Sequence, residues 1–239
     1  MDARNARLFL KSLVEDGVEE LYLPPRKAAP PAPVAASAPA AASKPSAAVS
    51  ACANDKFSVL RPEVMKCMQC PDLVANRRNI VFGTGSPDAE LVFVGEAPGR
   101  DEDEQGEPFV GAAGQLLTKI IEAMHFKRDQ VYICNVLKCR PPGNRPPKPQ
   151  EVLNCRPFLK RQLELLKPKI IVALGNFAAQ SLLETDEGIS RLRGRFLEYE
   201  GIKVMCTYHP AYLLRSPGEK GKVWSDMKLV MAELEAMRS

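Results

Sequence analysis

The sequence has few of the features that mark secreted, membrane or aromatic-rich proteins. It contains one Trp and two His, and only 6% of its 239 residues are aromatic. Its longest uninterrupted apolar run, residues 170–174, is far too short to span a bilayer. The first residues also lack the long apolar stretch of a secretory signal. We therefore expect a cytoplasmic protein without a membrane anchor.

The net charge is also small. The formal net charge is +4, and a protein that coats DNA by charge alone is normally more basic. Any nucleic-acid binding should therefore be local and directed to a site. With 45% hydrophobic and 26% charged residues the composition is that of an ordinary globular chain. Wholesale disorder, collagen and coiled coil are excluded.

The seven cysteines are better interpreted as ligands, core residues or nucleophiles than as disulfides. Four of them have a suggestive arrangement: a Cys-x2-Cys pair, then one cysteine after a predicted strand and one in the following helix (Cys67, Cys70, Cys139, Cys155). Four thiolates without a nearby histidine suit a structural zinc or a 4Fe–4S cluster. Alternatively, Cys155 is a core residue and Cys139 a surface thiol. Cys134 and Cys206 lie inside predicted strands, where they would be buried.

Hydrophobic periodicity and composition along the chain predict three segments. Residues 1–23 are predicted to form an amphipathic helix, which would either dock on a protein partner or fold back on the domain. Residues 24–55 are predicted to be a disordered linker, since 16 of the 22 residues in 28–49 are Ala or Pro. Residues 56–239 are predicted to form the main folded domain, and we expect it to be a monomer.

Four short apolar runs predict strands at residues 90–95, 130–136, 169–175 and 202–207. The runs are continuously apolar, as in strands buried on both faces, and helical patterns separate them. The fold class is therefore α/β: three α/β/α layers around a central four-stranded parallel sheet. Ligands bind such a sheet at the carboxyl ends of its strands, which here carry Glu96, Asn135 and His209.

Three motifs at these strand ends resemble those of the family 4 uracil-DNA glycosylases. They are residues 95–114 (GEAPGRDEDEQGEPFVGAAG), 135–145 (NVLKCRPPGNR) and 209–215 (HPAYLLR). The likeness covers residues 57–235 in uninterrupted order. It implies hydrolysis of the N-glycosidic bond of deoxyuridine in single- or double-stranded DNA, leaving an abasic site. It also implies that the four cysteines above hold a 4Fe–4S cluster.

The chemistry of this reaction assigns a role to three residues. Asn135 would recognise uracil by donating to O4 and accepting from N3–H; alternatively, it caps the strand end. Phe109 would stack on the extruded base, or it is a core phenylalanine. His209, at the mouth of the cleft, would act as the electrophile at O2 while the base leaves as an anion.

The acidic residues have less certain roles. Glu102 is our first candidate for orienting water or for crowding uracil C5 against thymine, and Glu96 is the second. At Ala97 other branches of the superfamily carry an Asp or Asn that positions water, so here backbone groups of the Glu96–Ala97 turn would contact uracil and water. The absence of an Asp or Asn side chain at position 97 favours an alternative function, a non-catalytic uracil-DNA-binding or polymerase-associated module.

A last group of residues would hold DNA. Tyr212, Leu213 and Leu214 could enter the gap left by the extruded base, although the two leucines could equally pack in the core. The basic residues that could meet phosphates are Arg140, Arg145, Lys148 and Arg215.

Overall fold

The computed structural model describes residues 56–239. The predicted N-terminal helix at residues 1–23 and the linker at 24–55 lie outside the described residues. Within 56–239, no helix combines the length and the apolar character needed to cross a membrane.

A mixed sheet of six strands forms the centre of the domain, in the order β1-β3-β2-β4-β6-β5. The strands are β1 (Thr84–Gly85), β2 (Leu91–Gly95), β3 (Tyr132–Asn135), β4 (Ile170–Leu174), β5 (Phe196–Tyr199) and β6 (Ile202–Thr207). The four predicted strands form the central parallel block, which confirms the α/β/α prediction. The predicted number of strands is wrong, because β1 and β5 add antiparallel edges. β1 has only two residues, and no residue of β5 is fully buried, so neither has the apolar run of a central strand.

Nine α-helices surround the sheet in residues 56–239. They are α1 (Leu60–Met65), α2 (Pro71–Asn76), α3 (Arg100–Gln105), α4 (Ala112–Ala123), α5 (Pro149–Leu166), α6 (Gly175–Leu183), α7 (Ile189–Leu192), α8 (Pro210–Arg215) and α9 (Lys220–Ala236). Short 3₁₀ turns occupy Pro142–Asn144 and Pro217–Glu219.

Two hydrophobic cores lie on opposite faces of the sheet, because successive strand residues point to opposite sides. In β2, Val92 and Val94 belong to the core that α1, α5 and α6 cover. Leu91 and Phe93 belong to the other core, which α4 and α9 cover. The sheet is thus buried on both faces, as its continuously apolar strands predict.

The parallel block brings the ends of β2, β3 and β6 to one edge. Gly95 pairs with Asn135 at the last position of β2 and β3. The two chains stay joined beyond the strands, since the Val136 N–H donates to the Gly95 carbonyl at 2.9 Å and the Leu137 N–H to the Glu96 carbonyl at 3.0 Å. On the far side, β6 ends at Thr207, and His209 precedes α8. The predicted site residues therefore come from segments held at a single edge.

Candidate active site

A cleft of about 490 Å³ opens at this edge. All the residues predicted to bind or transform the base line it, together with three residues predicted to hold DNA: Glu96, Ala97, Glu102, Phe109, Asn135, His209, Arg145, Tyr212 and Arg215. Asn135 and His209, which lie 74 positions apart in sequence, thus share one cavity. This convergence is the geometric condition that the proposed base recognition requires.

Asn135 sits at the base of the cleft and is only 2% exposed. Its Oδ1 has no hydrogen-bond partner among residues 56–239. A buried amide oxygen without a partner costs free energy, on the order of 1–3 kcal/mol, unless a ligand supplies a donor. The residue opposite is Gly95, where an added Cβ would lie 2.4 Å from that Oδ1 and 2.6 Å from Cζ of Phe109. Glycine at position 95 therefore keeps the space in front of the amide open.

Phe109 forms a wall of the cleft. Its backbone has a φ of 53°, which is rare for an aromatic residue and indicates that its surroundings hold it. The backbone of Phe109 packs closely on Gly114, where an added Cβ would lie 1.9 Å from the Phe109 carbonyl oxygen. Arg128 donates a hydrogen bond of 2.5 Å to the carbonyl of Pro108, the residue before Phe109. The ring is 6% exposed, and its centroid lies 5.5 Å from that of His209. A buried aromatic wall of this kind can accept a stacked base.

His209 is the N-cap residue of α8, and this role decides its tautomer. Its Nδ1 accepts a hydrogen bond from the Ala211 N–H at 3.1 Å. Burial lowers the pKa of the imidazole to about 4, and the nearby Arg215 acts in the same direction. At neutral pH the ring is therefore uncharged, and the hydrogen resides on Nε2 because Nδ1 is an acceptor. The side chain offers a neutral N–H donor to the cleft.

Glu102 holds the loop that carries Phe109. Its Oε1 accepts from the Val110 and Gly111 N–H groups at 2.9 and 3.0 Å, and its Oε2 from the Gly99 N–H at 3.1 Å. A carboxylate has about four acceptor positions, so three of them are used within the protein. The position of this side chain therefore favours a role in shaping the cleft over the predicted role in orienting water.

Glu96 differs from Glu102 in its surroundings. No hydrogen bond or ion pair joins its carboxylate to another residue of 56–239. Burial raises the pKa of the carboxyl group. Ala97 beside it packs partly against the core and presents only a methyl group. Of the two predicted acids, Glu96 is the one whose oxygens remain available to a water molecule.

Some of the predicted DNA-binding residues are exposed, and others are buried or already paired within the protein. Leu214 is 49% exposed, and Tyr212, which lines the cleft, is 37% exposed. Leu213 is only 1% exposed and lies in the core between α4 and α9, which favours the alternative of core packing over its predicted contact with DNA. The exposed face of α8 is offset from Leu213, because neighbouring helical residues point in different directions.

The basic residues of the loop before α5 have partners within the protein. Arg140 donates to Asn144 Oδ1 at 2.7 Å, and Lys148 pairs with Asp72 of α2 at 2.5 Å. The Arg145 guanidinium donates to both carboxylate oxygens of Glu151, at 2.5 and 2.9 Å. These pairs fix the loop at the cleft. Contact of these basic residues with DNA phosphates remains a prediction. It would require the residues to share or break these pairs.

The four predicted ligand cysteines form one neighbourhood behind this loop. Cys70, Cys139 and Cys155 are buried, and Cys67 is half-buried. Burial raises the pKa of the Cys139 thiol, Arg77 opposes that change, and the proximity of Cys67 and Cys70 acts in the same direction as burial. Arg77 and Asn154 donate to the sulfurs of Cys139 and Cys70, at 3.1 and 3.3 Å. No three His, Cys, Asp or Glu side chains of 56–239 form a group arranged to hold a single metal ion.

A buried network that the sequence did not reveal holds the end of β6. Asp226 of α9 is fully buried and accepts from Thr207 Oγ1 at 2.6 Å. Arg193 donates to the same carboxylate at 2.8 and 3.1 Å. Thr207 precedes His209 by two residues, so this network fixes the strand end from which the histidine projects. Only the fold brings these three residues together.

Comparison with known proteins agrees with this geometry. The family model for the uracil DNA glycosylase superfamily matches residues 82–228. A protein named "Type-4 uracil-DNA glycosylase" from Archaeoglobus fulgidus is 49% identical over 176 residues, which cover 70% of this chain and 88% of the relative. The chain belongs to the type-4 uracil-DNA glycosylase family.

Two further members of the type-4 family support the assignment. The relative from Thermotoga maritima is 42% identical over 76% of this chain and 92% of its own length. The relative from Sulfurisphaera tokodaii is 44% identical over 74% of this chain and 84% of its own length. The family resemblance inferred from the three motifs is thus confirmed.

Proposed function

We propose that this chain hydrolyses the N-glycosidic bond of deoxyuridine in DNA, releasing uracil and leaving an abasic site for base excision repair. The observation that carries the proposal is the convergence of Asn135, Phe109 and His209 in one cleft. Membership of the type-4 family supports it, since the relatives are named for this activity. A duplex hides the target bond, so the nucleotide must be extruded into the cleft.

Asn135 recognises the extruded base. Its unpartnered Oδ1 accepts from uracil N3–H, while the amide NH₂ donates to O4. Cytosine has an acceptor at N3 and an amino donor at position 4, so it would face each group with the wrong polarity. Buried polar groups left unpaired give strong discrimination against such an analogue. Phe109 stacks on the base and holds it in register.

His209 stabilises the departing base. As the glycosidic bond breaks, negative charge develops on uracil O2, and the neutral Nε2–H donates to that oxygen. The backbone N–H of Ala211 fixes the ring before the substrate binds, so little reorganisation is needed during the reaction. Glu96, with backbone groups of the turn to Ala97, orients the water that attacks the sugar.

This assignment predicts an unusual acid limit for activity. A histidine that acts as a neutral donor with a pKa of about 4 remains competent down to about pH 4, whereas an ordinary histidine would titrate near pH 6.5. The single-turnover rate on single-stranded uracil DNA should therefore show no loss that depends on His209 between pH 7 and 5. An acid limb centred near pH 6.5 that His209→Gln abolishes would contradict the assignment.

The same histidine also affects stability. Its folded-state pKa is lowered, so the unfolded chain binds a proton first as the pH falls below about 6.5. The stabilisation present above that pH is lost progressively down to about pH 4, where the folded form also protonates. Urea denaturation at pH 7 and pH 5 should show this loss, and it should be smaller in His209→Gln.

We propose that Cys67, Cys70, Cys139 and Cys155 hold a 4Fe–4S cluster. Four thiolate donors with hydrogen bonds to their sulfurs are typical of such centres. A single zinc, the alternative, would need sulfurs about 3.8 Å apart around one ion. The cluster would supply a rigid crosslink between the segment before α2, the end of the β3 loop and α5, which positions the loop at the cleft.

Metal analysis tests this cofactor. Protein purified without oxygen should be brown and contain about four irons per chain, and Cys155→Ser should lose colour and iron. Cys206→Ser, which changes a buried strand cysteine outside this group, is the matched control and should retain both. Stoichiometric zinc without iron would contradict the cluster and leave the glycosylase proposal standing.

Uracil release tests the function. Enzyme in excess over an oligonucleotide with one uracil should give free uracil and an alkali-labile site, without added metal or nucleotide. The matching oligonucleotide with cytosine should remain intact. Tight binding of uracil DNA without product would instead support the non-catalytic module that Ala97 suggests.

A further inference from the structure

Arg145 and Glu151 form a bidentate ion pair beside the active-site cleft. The Arg145 Nη1 and Nη2 atoms donate to the two carboxylate oxygens of Glu151, at 2.9 and 2.5 Å. Nη1 also donates to the carbonyl of Pro146 at 3.0 Å. These bonds use three of the five N–H donors that a guanidinium carries. The Nε–H and the second hydrogen of Nη2 have no hydrogen-bond partner among residues 56–239.

The two remaining donors of Arg145 lie on one edge of its planar guanidinium. Nη2 is the terminal nitrogen on the same side as the Nε hydrogen, so both donors point in the same direction. Such an edge matches two oxygens of a phosphate, which can accept parallel hydrogen bonds from one arginine. Arg145 lines the cleft, and 28% of its side chain is exposed, so a ligand can reach it. One guanidinium can thus be shared between Glu151 and a phosphate.

Glu151 is itself held firmly in place. It lies in the first turn of α5 and is only 5% exposed. Its Oε2 also accepts from the backbone N–H of Lys148, the N-cap residue of α5, at 2.8 Å. Arg145 has an extended backbone, with a φ of −63° and a ψ of 159°, as expected for a residue that precedes a proline. The ion pair therefore fixes the guanidinium relative to a helix.

The other arginine that lines the cleft is not held in this way. Arg215 of α8 has no hydrogen-bond or ion-pair partner among residues 56–239. A long side chain that is mobile before binding loses conformational entropy when a ligand orders it, whereas one that is already fixed loses little. Arg145 is thus the arginine of the cleft that is oriented before any ligand arrives.

We propose that Glu151 is a positioning residue for DNA: it holds one edge of the Arg145 guanidinium so that the other edge receives a backbone phosphate beside the extruded nucleotide. This inference rests on the proposed function and deepens it, because it assigns one phosphate contact and the side chain that prepares it. The carboxylate of Glu151 also repels DNA, so positioning and charge have opposite effects on affinity.

Glu151→Gln tests which effect prevails, because glutamine has nearly the same shape and no charge. It has one acceptor oxygen, so it can hold Arg145 at only one point. The probe is a DNA duplex with one 2′-fluoro-deoxyuridine, whose fluorine slows cleavage. Its Kd should rise about 3- to 10-fold, since the arginine must now be ordered on binding. Loss of a negative charge beside DNA would by itself lower the Kd.

Arg145→Gln removes the phosphate contact itself. The Kd should rise about 10-fold or more, as for the loss of a charge-assisted hydrogen bond. The slope of log affinity against log salt should become shallower by about 0.9, the value for one phosphate of duplex DNA. When Arg145→Gln is already present, Glu151→Gln should raise the Kd no further, because Glu151 acts through Arg145.

Two further sets of variants complete the design. If Arg145→Gln does not fold, Arg145→Lys retains a cation for Glu151, but its ammonium has no second edge, so the Kd should still rise. Arg161 of α5 and Glu63 of α1 are the matched control, an exposed ion pair of 2.6 Å outside the cleft. Arg161→Gln and Glu63→Gln should each leave the Kd within about twofold of the wild-type value.

Thermal denaturation of each variant separates binding from stability. A lower Tm of Glu151→Gln with an unchanged or lower Kd would overturn the inference and make the ion pair a purely structural clamp. An equal rise in Kd from Glu151→Gln with and without Arg145 would also overturn it. Wild-type protein that binds this duplex but releases no uracil from the duplex without fluorine would overturn the proposed function alone.

Discussion

Asn135→Ala should lower the single-turnover rate of uracil release about 100-fold, the loss expected when two buried hydrogen bonds are removed. The cavity would remain, since the backbone at position 135 is fixed by its pairing with Gly95. The base could then enter but would be neither held in register nor distinguished from cytosine. Rates measured with enzyme in excess report this step without interference from product release.

Asn135→Asp refines the same test. Aspartate has nearly the same size, but its ionised form only accepts hydrogen bonds, so it repels uracil O4. It should be as inactive on uracil as the alanine variant. Asn76→Ala, at an exposed asparagine outside the cleft, should behave as wild type. Activity within about threefold of wild type in both Asn135 variants would show that uracil is recognised elsewhere.

His209→Ala should lower the rate about 100- to 1000-fold, the range found when one donor to a developing anion is removed. The substitution also removes the acceptor for the Ala211 N–H, with a stability loss of about 1 kcal/mol. Thermal denaturation separates the two effects, because a folded but inactive variant has lost chemistry and not structure.

The second histidine of the chain provides the control. His125 is exposed at the end of α4, outside the cleft, so His125→Ala should retain full activity. Substrate binding by His209→Ala should be nearly unchanged, since the donor acts mainly as the bond breaks. Weaker binding with a normal rate at saturation would contradict the proposed role and make His209 a simple binding residue.

The central block of the fold could be predicted because burial on both faces leaves a strong pattern. β2 and β4 are five-residue apolar runs with every residue buried, and such runs have few alternatives when helices separate them. The edge strands lack this pattern. β5 has three partly buried residues and one exposed residue, and it pairs only with β6, so its presence depends on β6 rather than on its own sequence.

The site was predictable to the extent that the sheet determines it. Asn135 and His209 follow strands whose carboxyl ends must meet, so their convergence follows from topology. Contacts between distant segments were not predictable. The partners of Glu102 at Val110 and Gly111, the pairing of Arg145 with Glu151 and the burial of Leu213 depend on how loops pack. Lys138 looks like a surface residue in sequence, and only the fold buries it.

A crystal structure with an oligonucleotide containing one 2′-fluoro-deoxyuridine tests the central claim most directly. The fluorine slows cleavage by disfavouring the cationic sugar, so the intact nucleotide can be observed. We expect the uracil ring to stack on Phe109, with N3–H on Asn135 Oδ1 and with O2 within hydrogen-bonding distance of His209 Nε2. An extruded base bound outside this cleft, or one whose O2 points away from His209, would contradict the account.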